Sequence, residues 1–364
     1  MKRLELLDYG RLFAALMVVF YHYTFNGINN GKVYSIDLIT NLADITKYGY
    51  LGVELFFMIS GYVIFHSAKN RTAAKFALSR VTRLYPAYWF AILFTSLFAY
   101  FLGGDSMSVK VSQILVNFTM LQSLFGVENV DGVYWTLIFE LKFYLLIFAM
   151  LLLGLNKYLE KIIIAWGVVI AASYFIGMEN RVYLGGYYGF FVSGALFAML
   201  RERFTVLRFL VITSLYVIST IYIMNRVEIP GLISSPGHSP YIITMVITIF
   251  YLFFFFQNTM LSERLKLKGS KLAGALTYPV YLIHAHFGYM MINKFATNDN
   301  KIIAYIAIIT TVFIIAALMH FIIEKKLSFL WKALFSTTIE KPVAQIQIYV
   351  NTFLATLSRK SKVA

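Results

Sequence analysis

The chain has 364 residues, of which 60% are hydrophobic and 13% are charged. Its mean hydropathy is +0.72. A water-soluble domain of this length cannot bury so much apolar surface, so the composition excludes that class and predicts an integral membrane protein. The chain has no cysteine, which excludes disulfide bonds, thiolate catalysis and cysteine-ligated metals.

Apolar runs follow one another along most of the chain. Each approaches the roughly 20 residues that a helix needs to cross the hydrocarbon core of a bilayer. A spanning segment must satisfy its own backbone hydrogen bonds in lipid, so a helix is expected for each run. We therefore predict an all-α polytopic membrane protein with about ten transmembrane helices. The predicted spans are 12–29, 51–67, 84–102, 133–153, 162–177, 186–200, 208–224, 240–256, 274–293 and 302–323.

The positive charge is distributed unevenly along the chain. The formal net charge is +15 and, with Met1 placed on the cytoplasmic side, 24 of the 32 Lys and Arg residues fall in cytoplasmic segments and 7 in outer loops. This asymmetry is the positive-inside pattern, so both termini are predicted to be cytoplasmic. The basic excess is then mainly a topology signal rather than a sign of nucleic-acid binding. Anionic lipid or an anionic cytoplasmic ligand is a secondary partner.

One membrane-embedded domain is predicted over residues 5–330, followed by a basic cytoplasmic tail over 331–364. The tail is expected to be a solvated end, with a surface-bound helix as the alternative. The first apolar run lacks a convincing cleavage site and is expected to be retained as a span. Segment 111–125 is amphipathic and too short and polar to be a span, so it is expected to lie at the outer interface or to re-enter the membrane.

Two polar residues, Arg11 and His22, bracket the first apolar run. Their separation of eleven positions places them on one helix face, about 16 Å apart along the axis. Arg11 is expected at the cytoplasmic interface, where a snorkelling anchor is its simplest role. His22 is expected near mid-membrane, where a polar side chain must face protein or a water-filled cavity and is a functional candidate. A neutral imidazole there can accept a proton.

Two carboxylates, Glu54 and Glu140, also lie within apolar runs. A buried carboxylate needs a partner or a proton. Glu140 is expected to orient His22 and to stabilise its imidazolium form, with a structural bridge to another helix as the alternative. For Glu54, structural and functional roles are equally open.

A pair of arginines, Arg80 and Arg83, shares one helix face just before the third span. Two forked guanidinium groups on one face suit a phosphate-rich ligand. Anchoring by the positive-inside rule explains the pair equally well.

The remaining histidines carry weaker signals. His284 and His286 are two positions apart and cannot chelate one metal from a regular helix, so no metal site is predicted. His284 is expected to line a cavity, and His286 to form a hydrogen bond between helices. His320 and Glu324 are four positions apart and are expected to form a structural pair.

Five segments of the chain occur in an informative order: "RLFAALMVVFYH", "YLGVELFFMISGYVIF", "RVTRLYP", "YWTLIFELKFYLL" and "YPVYLIHAHF". Together they resemble the integral-membrane acyltransferase family 3, whose members O-acylate bacterial surface glycans. The resemblance covers about residues 7–325. Some relatives carry an extracytoplasmic hydrolase-like domain. This chain contains no such domain, so the membrane domain is expected to act alone or with a partner.

The resemblance implies transfer of an acyl group, expected to be acetyl, from cytoplasmic acyl-CoA to a hydroxyl of an extracytoplasmic glycan. The implied location is the bacterial inner (cytoplasmic) membrane. Acyl-CoA is a donor substrate in this scheme, and no permanently bound cofactor is expected. The expected partners are acyl-CoA, the glycan acceptor and the lipid bilayer, with no nucleic acid, and the oligomeric state is open.

The resemblance also implies roles for individual residues. His22 would be the general base, and Glu140 would belong to the catalytic core. The CoA end would be held by Arg11, Arg80 and Arg83. An acyl-imidazole intermediate on His22 is the alternative to general-base catalysis. The residues expected to line the cavity are Glu54, Ser60, Trp135, Tyr144 and His284, with Ser60 a candidate donor to the oxyanion.

Two other classes of protein stay open at this point. A proton-coupled transporter would also place Arg, His and Glu inside its spans. Such a carrier moves substrate without consuming acyl-CoA, whereas a transferase releases free CoA. A structural scaffold does not explain the polar groups inside the spans.

The charge asymmetry predicts a topology that can be tested because the chain has no native cysteine. In intact cells, Ser35→Cys is expected to react with a membrane-impermeant thiol reagent. Ala73→Cys is expected to react only after the membrane is opened, because it follows a basic and hence cytoplasmic segment. Labelling is measured as a mass shift on a gel. Labelling of Ala73→Cys alone in intact cells would invert the topology.

Overall fold

The computed structural model describes residues 4–227 and 237–360. The described ranges are helical and contain no strand. The chain ends, on which the predicted sidedness partly depends, lie outside the described residues at 1–3 and 361–364. The α-helices are α1 (Glu5–Tyr21), α2 (Gly27–Asn29), α3 (Thr40–Thr46), α4 (Gly52–Ala68), α5 (Ala73–Leu102), α6 (Val111–Asn117), α7 (Leu137–Leu152), α8 (Leu159–Phe175), α9 (Gly186–Glu202), α10 (Val206–Val227), α11 (Pro240–Gln257), α12 (Met260–Arg264), α13 (Ser270–Ile283), α14 (Ala285–Phe295), α15 (Lys301–Leu318), α16 (Ser328–Phe335) and α17 (Lys341–Lys360).

Segments of 3₁₀-helix and π-helix join several of these α-helices into longer helices. Segments of 3₁₀-helix cover Lys47–Leu51, Gln122–Phe125, Gly132–Thr136 and Leu155–Tyr158. Segments of π-helix cover His22–Asn26, Met319–Lys326 and Ser336–Glu340. The first π-helix begins at His22, and such irregular turns are frequent at functional sites.

Seven helical segments of the described residues are long and apolar enough to cross a membrane. They confirm a multi-pass helical membrane protein, while the number of about ten stays a prediction. The three other predicted spans, 12–29, 186–200 and 274–293, fall on α1, on α9 and on the broken pair α13–α14. The seven segments are Thr40–Ala68, Ala73–Leu102, Gly132–Leu152, Asn156–Phe175, Val206–Arg226, Pro240–Gln257 and Lys301–Lys326.

The four helices that carry these three spans, α1, α9, α13 and α14, pack against other helices of the bundle. Every residue of α9 from 186 to 199 is buried. Such burial is expected for a helix whose whole circumference is apolar. Helix α1 packs against α13 and α4, and α4 packs against α9. The outer helices therefore shield the elements that carry the polar candidates from lipid.

The contact between α4 and α9 is the most extensive in the fold. A Cβ atom on Gly61 would lie 1.9 Å from the Phe191 carbonyl oxygen, and one on Gly194 would lie 1.9 Å from the Met58 carbonyl oxygen. The two glycines thus let the backbones touch reciprocally, as small residues do between membrane helices. The rings of Phe57 and Phe191 stack beside this contact with centroids 4.4 Å apart.

The segment between α5 and α7 folds back into the bundle. The Tyr85 hydroxyl donates to the Thr119 carbonyl oxygen at 3.0 Å. The Trp89 indole donates to the Phe118 carbonyl oxygen at 2.9 Å. Because Trp89 lies midway along α5, the segment lies against the middle of that helix. This packing favours the re-entrant one of the two positions expected for residues 111–125, which stays a prediction.

The C-terminal segment expected as a solvated tail is helical as far as Lys360. The ring of Phe335 in α16 lies 5.9 Å from that of Trp89, which packs this helix against α5. In α17, Tyr349 and Phe353 are exposed apolar side chains. An amphipathic helix of this kind fits the alternative of a surface-bound helix.

Enlarging a glycine at the α4–α9 contact tests how tightly the bundle is built. Gly194→Ala is expected to lower the free energy of unfolding in detergent by about 1–3 kcal/mol, because the new methyl group meets backbone rather than a movable side chain. Thermal unfolding of the purified protein measures the change. The control is Ala172→Leu, which enlarges an exposed residue of α8. An equal loss in both variants would contradict a specific role for the contact.

Candidate active site

Two polar cavities open inside the helix bundle, and each is named here for its characteristic side chains. The arginine cavity has as its polar wall Arg11, Ser60, Arg80, Arg83, Thr136, Glu140, Tyr144, Thr277, Tyr278 and Tyr281. The histidine cavity has as its polar and aromatic wall Tyr21, His22, Asn26, Asn30, Lys32, Tyr50, Glu54, Trp135, Tyr187, Arg226, Tyr281, His286 and Tyr289.

Helix α1 and its π-helical extension serve both cavities. Arg11 lines the arginine cavity and His22 lines the histidine cavity. The shared helix face predicts one cavity for the two side chains, whereas the structure places them in two. Among the residues that the structure describes, only Val53 and Tyr281 line both cavities.

Two of the arginines are held by carboxylates. Arg11 Nη1 lies 3.5 Å from Asp8 Oδ1, three residues earlier on the same helix. Arg83 Nη1 donates to Glu324 Oε1 at 3.1 Å. Glu324 Oε2 also accepts a hydrogen bond from His320 Nδ1 at 2.7 Å, so the expected structural pair is present and reaches into the arginine cavity.

Arg80 is held mainly by aromatic rings. Its guanidinium lies 5.6 Å from the centroid of Tyr144 and 5.9 Å from that of Phe76. One Nη donates to Ser79 Oγ at 2.8 Å. Its buried Nε has no hydrogen-bond partner among the residues that the structure describes. The group is therefore oriented but has donor capacity left for a ligand.

A carboxylate–hydroxyl cluster lies in the wall of the arginine cavity. Ser60 Oγ donates to Glu140 Oε1 at 3.1 Å, and the Tyr144 hydroxyl donates a short hydrogen bond to the same oxygen. Glu140 therefore pairs with Ser60 and Tyr144 and lies in a different cavity from His22. The expected pairing of Glu140 with His22 does not correspond to the geometry.

His22 takes its orientation from Tyr289 instead. Its Nδ1 lies 2.5 Å from the Tyr289 hydroxyl oxygen. Asn26 Nδ2 lies 3.3 Å from the same nitrogen and 3.2 Å from the Tyr289 oxygen. The Tyr21 hydroxyl donates to Asn26 Oδ1 at 3.1 Å, which fixes the orientation of that amide. Within the described ranges, His22 Nε2 has no hydrogen-bond partner, so it is available to a molecule in the cavity.

His284 lies behind His22 and is fully buried, with 0% of its surface exposed. It thus lies outside the cavity wall in which the sequence analysis expects it. The two imidazole rings pack edge to face with centroids 5.1 Å apart. His284 Nδ1 donates to the Tyr281 carbonyl oxygen at 2.8 Å, which places the proton of a neutral ring on Nδ1.

Three further residues of the histidine cavity face its open space. Glu54 is 1% exposed, and its Oε2 has no hydrogen-bond partner in the described part of the chain. The Arg226 guanidinium lies 5.0 Å from the ring centroid of Tyr187. Its Nε also has no hydrogen-bond partner among the described residues. Trp135 is 38% exposed and presents an aromatic wall. A few convergent polar groups on an aromatic lining are typical of ligand sites.

A second polar cluster closes one side of the histidine cavity. Lys32 Nζ donates to His286 Nε2 at 2.8 Å. His286 in turn donates from Nδ1 to the Val130 carbonyl oxygen and from its backbone nitrogen to Asp131 Oδ2. Burial lowers the pKa of Lys32, while the charges of Asp131 and Glu128 raise it. His286 is expected to form a hydrogen bond between helices, whereas its partners Val130 and Asp131 lie in a non-helical segment, and it belongs to the cavity wall.

The sequence analysis did not identify four residues of this site: Asn26, Lys32, Arg226 and Tyr289. Asn26 has a local signal, since it follows His22 by one helical turn. Lys32 and Arg226 count in the sequence only as loop charges. Tyr289 is one of 26 tyrosines and has no distinguishing pattern.

A bundle of membrane-length apolar helices with polar cavities between them is the architecture of a multi-pass membrane protein. The family model described as "Acyltransferase domain", of acyltransferase family 3, matches residues 4–321. The chain therefore belongs to this family. This assignment favours a transferase over the transporter that the sequence leaves open.

One curated relative supports the same assignment. "Nodulation protein 10" of Rhizobium leguminosarum bv. viciae is 29% identical to this chain over 158 residues. The match covers 38% of this chain and 41% of the length of that relative. No solved structure gives a significant match to the chain.

Proposed function

We propose that the protein transfers an acyl group from acyl-CoA to a hydroxyl of a glycan outside the bacterial inner membrane, with acetyl-CoA as the donor. The observation that carries this proposal is the pair of cavities along one helix. Arg11 marks a cavity rich in guanidinium groups, and His22 marks a second cavity with an available imidazole nitrogen. Membership in the acyltransferase family supports group transfer between two such sites.

The arginine cavity suits the phosphate-bearing end of CoA. Guanidinium groups bind phosphate through forked, charge-assisted hydrogen bonds. Arg11 and Arg83 are paired with carboxylates, and a polyanionic ligand would exchange with Asp8 and Glu324 as partners. Arg80 has an unpartnered Nε already.

The pantetheine arm of the donor would lie along α4 toward the histidine cavity. Ser60 and Val53 are seven residues apart on this helix, which places them on one face about 10 Å apart. The Ser60 hydroxyl and its Glu140 acceptor lie on this path. We therefore assign Ser60 and Glu140 to positioning of the donor rather than to proton transfer at His22.

The histidine cavity suits a polyhydroxylated acceptor. Glu54 Oε2 can accept a hydrogen bond from a sugar hydroxyl, and Arg226 Nε can donate one to a sugar oxygen. The exposed face of Trp135 offers an apolar surface to the ring carbons. Such groups would place one acceptor hydroxyl beside His22.

The chemical step then needs two proton transfers, one to His22 and one from it. The mechanism requires the neutral tautomer of His22 that carries its proton on Nδ1, beside the Tyr289 hydroxyl oxygen, because this tautomer leaves the lone pair on Nε2. Nε2 removes the proton of the acceptor hydroxyl as its oxygen attacks the thioester carbonyl carbon. The carbon–sulfur bond breaks as the tetrahedral intermediate collapses, and the imidazolium returns the proton to the CoA thiolate. The products are the glycan ester and free CoA.

His22→Gln is the direct test of this function. The amide keeps a polar side chain but cannot act as the base, so kcat is expected to fall by roughly 10²-fold or more with little change in acyl-CoA binding. Acyl-CoA-dependent release of free CoA and mass spectrometry of the glycan measure the two products. His66→Gln, which lines neither cavity, is the matched control. Near-normal acylation by His22→Gln would exclude the catalytic role.

The double variant Arg80→Lys with Arg83→Lys tests the donor site. Each replacement keeps the positive charge needed for topology but removes the guanidinium fork, so the KM for acyl-CoA is expected to rise by about tenfold or more. Arg264→Lys, at an exposed residue outside the cavity, is the control. Unchanged KM and acyl-CoA binding in the double variant would return the pair to the role of membrane anchors.

A further inference from the structure

The boundary between the two cavities is formed by a single tyrosine and its neighbours. Tyr281 and Val53 are the residues common to both linings. The Tyr281 hydroxyl lies 2.6 Å from Thr136 Oγ1 and donates to the Val133 carbonyl oxygen at 3.2 Å. Thr136 lines the arginine cavity and Val133 lines the histidine cavity. The phenol is therefore held between the two spaces.

The barrier that these side chains make is largely apolar. The Phe56 ring packs edge to face on Tyr281 with centroids 5.6 Å apart. Val53 is 8% exposed and Tyr281 is 7% exposed, so little of either is open to solvent. Hydrocarbon and ring carbon fill the boundary, which disfavours passage of water and ions between the cavities.

The backbone at this tyrosine is joined to the candidate base. Tyr281 precedes the break between α13 and α14, at His284, by three residues, and its carbonyl oxygen accepts the hydrogen bond of His284 Nδ1. The His284 ring packs against His22. Pro279 lies within the same last turns of α13 and removes a backbone donor there. A displacement of Tyr281 would therefore shift His284 and, through the ring contact, His22.

We propose that Tyr281, closing against Val53, is a gate that separates the arginine cavity from the histidine cavity. Its opening joins the two spaces, and its closed state keeps water and ions on one side from reaching the other. If the proposed acyl transfer holds, the thioester end of the donor passes this gate to reach His22. The closed gate then also protects the thioester from hydrolysis when no acceptor is bound.

Cysteine accessibility tests the gate without reference to activity. Val63→Cys places a thiol in the arginine cavity, and Asn30→Cys places one in the histidine cavity. An impermeant thiol reagent is added to right-side-out vesicles, on the side of the histidine cavity. With Tyr281 present, labelling is expected at Asn30→Cys and not at Val63→Cys. Adding Tyr281→Ala is expected to raise the labelling rate of Val63→Cys by about tenfold or more, since the rate follows the open fraction.

Two further variants keep this test decisive. Val53→Ala opens the same boundary from the α4 side with a smaller change, and it is expected to raise labelling in the same direction. Tyr251→Ala removes a buried tyrosine that lines neither cavity, so it controls for general loosening of the bundle. The gate is excluded if Val63→Cys is labelled at an unchanged rate in both boundary variants. It is also excluded if Tyr251→Ala raises the rate equally.

Turnover separates this proposal from the proposed function. Opening the gate is expected to raise hydrolysis of acetyl-CoA in the absence of glycan and to lower the yield of glycan ester per CoA released. If accessibility changes as expected but the native chain turns over no acyl-CoA, the gate holds and the proposed function fails. If the native chain acylates glycan while accessibility is unchanged by Tyr281→Ala and Val53→Ala, the function holds and the gate fails.

Discussion

The close contact of α4 with α9 is the constraint on which the candidate site depends. Gly61 and Gly194 let the two backbones touch, and a side chain at either position would meet a carbonyl oxygen. This contact fixes one face of α4 in the buried centre of the bundle. The same helix presents Glu54 to the histidine cavity and Ser60 to the arginine cavity. The contact with α9 therefore positions the α4 side of both cavities.

The polar side chains are stable within a membrane because the helix bundle encloses them. Ionisable side chains within apolar spans must pair or face an aqueous cavity. Here Arg83 pairs with Glu324, and Glu140 accepts from Ser60 and Tyr144. Helices α1 and α9 pack against other helices of the bundle. The protein thus provides the polar environment for side chains that lie on apolar, membrane-length helices such as α4, α5 and α7.

Prediction from sequence succeeded where the signal is local. Composition and run length predicted a helical multi-pass membrane protein, and five ordered segments identified the family. The placement of Glu140 beside His22 was wrong because helical periodicity gives the face of a residue but not the helix that it meets. The same limit hid Tyr289, which is 267 residues from its partner His22. Arg226 was counted as a loop charge because only tertiary packing places its guanidinium over Tyr187.

Two irregularities of the backbone meet beside the histidine cavity. The π-helix begins at His22, and the break between α13 and α14 falls at His284, whose ring packs against His22. Irregular backbone at membrane depth is tolerated only where protein or a water-filled space satisfies its polar groups. The His284 imidazole meets part of that requirement by donating to the Tyr281 carbonyl oxygen. The same hydrogen bond that stabilises the broken helix therefore connects the boundary between the cavities to His22, so the helix break serves both the stability and the organisation of the site.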